Sequence, residues 1–185
     1  MTERAEQLST TADGQIGELI DLLRALDQAA LDRPCPGREK LGDGTIAASV
    51  RHTADNYQRI AGFVQNSDRM SHKDALAATG AHRIPRFMRA FGHAPADHAE
   101  RGPAAGQHED QYAASDIDLD GVVGQLSASR DALRAMTELS DSQLDTIPPK
   151  DSFRFCDGQR TLEQVLAGLL KHQGHQVDAL KAARP

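Results

Sequence analysis

The chain has 185 residues and a net charge of −6, with no clustered basic face, which excludes the concentrated positive charge that nucleic acids and anionic membrane surfaces require. No stretch approaches the ~20 apolar residues of a membrane span, and the segment up to Asp13 is polar with no signal-peptide core, so a soluble, cytoplasmic protein is expected. Trp is absent and aromatic residues make up 4%, which favours helices over sheet in one domain spanning residues 1–185.

Ile16, Leu19, Ile20, Leu22, Leu23, Leu26 and Leu31 recur at helical spacing and predict a first helix over 14–31, with Asp13 as its N-cap. Arg33-Pro34-Cys35-Pro36-Gly37 ends it. A polar loop leads to Gly44, and Ile46, Val50, Thr53, Tyr57, Ile60, Ala61 and Val64 form one stripe of a second helix from 45 to about 65, capped by Asp43 or Thr45. Residues 66–116 hold repeated Gly and Pro and read as a long irregular connection, with one short helix at 84–91. A connection of that length is functional or mobile, and a lid is one use for it.

Leu119, Val122, Val123, Leu126, Ala132, Leu133, Met136 and Leu139 predict a third helix over 119–139, opened by Asp116 or Asp118. Residues 140–159 read as a loop with a short extended piece at Phe153-Arg154-Phe155. Thr161 and Gln164 are spaced as a capping box for a last helix running to Ala183. Four amphipathic helices with a long crossover between the second and third describe an all-α four-helix bundle.

The last helix carries His172-Gln173-Gly174-His175-Gln176 inside its apolar run. At about 100° per residue, Leu162, Val165, Leu166, Leu169, Gln173 and Leu180 form the buried stripe, His172 and Gln176 sit near one edge, and His175 turns further toward the flank. His52 and Asn56 lie at the edge of the second helix's stripe. Edges of two neighbouring helices can face one another, so His52, His172 and His175 are candidate metal ligands, with Asn56 and Gln176 orienting the rings. Three imidazoles suit zinc or nickel and leave a position open for water or a thiolate. The alternative is imidazoles that are solvated or hydrogen-bonded once. His72, His82, His93, His98 and His108 are expected to be solvated.

Cys35 and Cys156 fit no CxxC spacing and are expected to be unpaired thiols in a reducing compartment. Either one activated by a neighbouring His would be a nucleophile, although that requires an electropositive setting.

Three short motifs in order, Leu31-x-Arg33-Pro34-x-Pro36-Gly37, Thr45-Ile46-x4-Arg51-His52-x-Ala54-Asp55-Asn56 and Thr161-Leu162-x3-Leu166-x5-His172-x2-His175-Gln176, resemble the DinB/YfiT-like superfamily over most of the chain. The resemblance implies a bundle of up-down-down-up arrangement, often homodimeric, and a divalent metal such as Zn or Ni held by one His of the second helix and two of the last. It also implies chemistry on a small-molecule substrate, as a thiol transferase using mycothiol, bacillithiol or glutathione, or as a hydrolase. His52 and His172 match the first two ligand positions. The third departs: the family pair is spaced by four, which here gives Gln176, whereas His175 lies three beyond. The sequence therefore supports two expectations, a metal-dependent thiol transferase or hydrolase, and a non-catalytic bundle with a degraded metal site that binds a small molecule or a partner.

Overall fold

The computed structural model describes residues 2–39, 41–77 and 117–183. Its elements are α1 (Glu3–Arg24), α2 (Gln28–Leu31), α3 (Ile46–Ala77), α4 (Leu119–Leu133) with a 3-10 turn (Arg134–Glu138), α5 (Asp141–Leu144) and α6 (Leu162–Ala182), with no strand among the described residues. α1 and α3 each pack against both α4 and α6. No helix among the described residues is long and apolar enough to cross a membrane.

α1 begins eleven residues before the predicted start, because Thr2 accepts a hydrogen bond from the Ala5 amide and caps it. Ala5, Leu8 and Ala12 extend the buried stripe of Ile16, Leu19, Ile20 and Leu23 backward, but small and polar neighbours dilute that signal. Asp13 is not a cap. Its carboxylate takes two hydrogen bonds from Arg130 of α4, at 2.6 and 2.5 Å. The predicted single helix breaks after Arg24, and Asp27 accepts from the Ala30 amide to restart it as α2.

α3 starts where expected, with Thr45 Oγ1 accepting from the Ala48 amide. It continues to Ala77, past the predicted end near 65, since no Gly or Pro interrupts 66–77. The predicted helix at 84–91 and His82, His93, His98 and His108 lie outside the described residues. α4 is capped by Asp118, which accepts from the Gly121 amide at 3.0 Å, and its last predicted turn tightens to 3-10 form. α6 has the expected capping box of Thr161 and Gln164.

The loop before α3 folds back on itself. The Cys35 amide donates to the Gly44 carbonyl at 2.8 Å and the Ile46 amide to the Arg33 carbonyl at 2.9 Å, which carries Arg38 beside the first turns of α3. Gly44 has φ +74°, and a Cβ there would lie 3.2 Å from the Glu39 Cα, so both its conformation and its lack of a side chain are used.

The core is mainly aliphatic, and a polar bridge crosses it. Tyr57 of α3 is fully buried and its hydroxyl donates to Gln15 Oε1 of α1 at 3.0 Å, while Gln15 Nε2 donates to the Leu170 carbonyl of α6 at 3.1 Å. The Gln15 side chain passes over Gly174, where an added Cβ would come within 2.9 Å of Nε2. A glycine between His172 and His175 thus leaves room for a link among three helices. Tyr57→Phe removes a buried donor and leaves Gln15 Oε1 unpaired, so we expect it to cost about 1–2 kcal/mol in urea unfolding. A midpoint equal to that of the wild type would show that the bridge adds nothing.

Candidate functional site

His52 and Asn56 lie half-buried on α3, facing His172 and Gln176 on α6, along the seam where the two helices pack. On each helix the histidine is paired with a carboxamide one turn on. Asn56 Nδ2 donates to His52 Nε2 at 2.9 Å, and Gln176 Nε2 donates to His172 Nε2 at 3.2 Å. With the carboxamides in this orientation both Nε2 atoms accept, which places the proton of each neutral ring on Nδ1. Gln176 is 2% exposed, and its Oε1 is buried without a hydrogen-bond partner among the described residues.

His175 lies exposed on the outer flank of α6, as its position on the helix predicted. The structure thus brings two of the three candidate ligands to the seam. Among the described residues, no group of three His, Cys, Asp or Glu side chains could hold a metal ion. The donor set at the seam is two imidazoles and two carboxamides.

Three residues of this region went unnoticed as site residues in the sequence. Residues 153–155, predicted as extended, form a tight turn closed by hydrogen bonds from the Asp151 amide to the Cys156 carbonyl and from the Cys156 amide to the Phe153 carbonyl, with Phe155 at φ +70°. Phe153 stacks on Phe63 of α3 with ring centroids 4.7 Å apart, pinning the turn over the seam. Phe155 meets the His172 ring edge-on at 6.2 Å, and the Arg154 guanidinium lies 5.3 Å over the Phe155 ring. Arg38, in the loop before α3, is close enough for its charge to act on both His52 and His172. Only the turn's two aromatic residues were visible as a pattern, and nothing in their spacing indicated a left-handed residue at Phe155.

Burial comes first in the electrostatics of the seam, and these guanidinium groups add to it. Burial, followed by the charges of Arg154, His172, Arg38 and Arg59, pushes the His52 pKa down to about 4. His172 is lowered as well, by burial and then by Arg154, Arg38 and His175. Among the described residues the ion pairs lie elsewhere, as Arg4 with Glu163 and Lys181 with Glu18, and Arg38, Arg59 and Arg154 have no carboxylate partner.

Both cysteines are free and buried, in agreement with unpaired thiols. Burial pushes the Cys156 thiol up, the opposite of what a nucleophile needs.

No family model matches the chain, and no curated protein or solved structure matches it either.

The depressed histidine predicts a pH dependence. In the unfolded chain His52 takes up its proton near pH 6.5, and in the fold only near pH 4. Between those values the unfolded state binds more protons, so stability is full above pH 6.5 and falls as pH drops toward 4. For a half-buried ring the loss is on the order of 1–2 kcal/mol. Denaturant midpoints at about pH 7.5 and about pH 5 should differ in the wild type, and His52→Gln should flatten the difference. An unchanged slope in that variant would remove His52 as the cause.

Proposed function

We propose that this chain is a DinB-like four-helix bundle of up-down-down-up arrangement that acts as a binding domain for a small molecule, with the α3–α6 seam as its site. One observation carries this reading: both inward imidazole nitrogens already accept hydrogen bonds from carboxamides on their own helices. The lone pairs that a metal would require are in use. His175 faces outward, and Gln176 supplies a neutral carboxamide in place of a third imidazole. The residues present do not fit a three-histidine centre.

A second reading, a metal-dependent thiol transferase or hydrolase, is favoured by one feature of the same site. Metal ligands must be neutral imidazoles, and His52 and His172 are both held toward the neutral form. The unpartnered Gln176 Oε1 would be the third donor if its amide met an ion. Zinc or nickel bound there would supply a Lewis acid and stabilise the thiolate of a cofactor such as mycothiol.

Elemental analysis of protein purified without a His tag, paired with melting in the presence and absence of a chelator, separates the two. The binding reading expects substoichiometric metal and a chelator-independent melting curve. A tightly bound ion at a hundredfold its dissociation constant would instead add about 2.7 kcal/mol of stability that chelation removes. Stoichiometric metal that disappears in His52→Ala, together with a thiol-dependent activity lost in the same variant, would replace the binding reading with the enzymatic one.

A further inference from the structure

We infer that the α3–α6 seam recognises a small organic anion, with Arg154 and Arg38 holding its carboxylate, Phe155 forming an apolar wall and Gln176 meeting a polar group of the ligand. This rests on the reading of the seam as a ligand site and adds the charge of what it takes.

The guanidinium carbon of Arg154 lies 5.3 Å from the centre of the Phe155 ring, and that ring meets His172 edge-on. A cation–π contact of this kind uses none of the guanidinium's N–H groups in a hydrogen bond, and those are the atoms that hold a carboxylate in a paired hydrogen bond. Arg154 is exposed and Arg38 half-buried, and neither has a carboxylate partner among the described residues. Their charges reach both imidazoles. Two cations with no carboxylate partner among the described residues, on a chain of net charge −6, mark a local reversal of sign, the arrangement that draws in and retains an anion.

The second observation is the carboxamide of Gln176. One end pairs with His172, the other is buried with no partner among the described residues, and turning the group over exchanges which atom is orphaned without satisfying both. A buried polar atom of that kind calls for a partner beyond those the described residues supply, and a ligand's polar group would be one. The neighbouring Phe155 ring favours a ligand with a carbon skeleton over a bare inorganic ion.

The test uses the whole chain and three probes of matched size: succinate, its neutral diamide succinamide, and the dication putrescine. Imidazole proton–carbon spectra report on His52 and His172 directly, with assignments from single His→Gln variants. Succinate should shift both signals saturably, and succinamide and putrescine should not. Arg154→Gln should weaken succinate by about tenfold or more, while Arg24→Gln, on an exposed and distant site, should leave it unchanged. Succinate binding that survives Arg154→Gln undiminished, or equal binding of succinamide or putrescine at the same signals, would overturn the charge assignment and leave the seam a ligand site. If no probe moves either histidine, the assignment and the reading beneath it both fall.

Discussion

Burying an imidazole on a helix face leaves its inward nitrogen in need of a partner, and on α3 and α6 that partner is a carboxamide four residues further along the same helix. Everything else about the seam follows from this choice. With the amide N–H turned toward the ring, each ring accepts at Nε2 and carries its proton on Nδ1. Protonation would then turn a hydrogen bond into a clash of two donors, which adds to the cost of charging a buried group. The two pairs are alike in spacing and opposed across the helix contact. They form a polar strip inside a stripe of Val165, Leu166, Leu169, Val50 and Tyr57.

The strip is covered by a segment that must depart from regular structure to reach it. α5 is held at its start by a capping box of Ser140 and Gln143, and the Leu162 amide donates to the Thr146 carbonyl at 2.7 Å, so the segment between α5 and α6 is tied at both ends. Phe155 takes a left-handed conformation, which costs an aromatic residue about 1–2 kcal/mol. The stacking of Phe153 on Phe63 and the contact of Phe155 with His172 offset that cost. The same turn places Arg154 where its charge acts on both histidines. A loop thereby sets the electrostatics of a site whose positions belong to helices.

The helices were legible because their signals are local. Thr161 with Gln164, Asp118 and Thr45 all cap as their chemistry dictates, and the stripe of α6 is buried residue for residue, with His172 at its edge and His175 outside it. What the sequence hid was either diluted or non-local. The first turns of α1 carry Ala5 and Ala12 among polar neighbours, too weak a pattern to place Thr2 as a cap. The role of Asp13 depends on Arg130, 117 residues away, so a plausible cap residue was put to a different use. At the seam, the facing of His52 and His172 could be argued from helix edges. The arrival of Arg38 and Arg154 could not, since each sits in a loop whose path is set by backbone hydrogen bonds and a left-handed turn. The proposed polarity of the site therefore lay in the part of the chain with the least periodicity.

That polarity acts on every charged species alike. A proton on His52, a divalent ion between His52 and His172, and a cationic ligand would each add positive charge among Arg38, Arg59 and Arg154. At an effective dielectric constant near 20, like unit charges ~6 Å apart repel by roughly 3 kcal/mol, and a divalent ion doubles that. A third imidazole at position 176 would add a strong donor against this repulsion, and a carboxamide adds little. For an anion the sign of every such interaction reverses, and the energy that opposes the proton becomes energy that holds the ligand. The carboxamide of Gln176 and the arginines of the two loops thus push in one direction, since each weakens the seam for cations and the second strengthens it for anions. Neither change requires the helices to move, because the imidazoles keep their places through Asn56 and Gln176 whether or not an ion was ever part of the design.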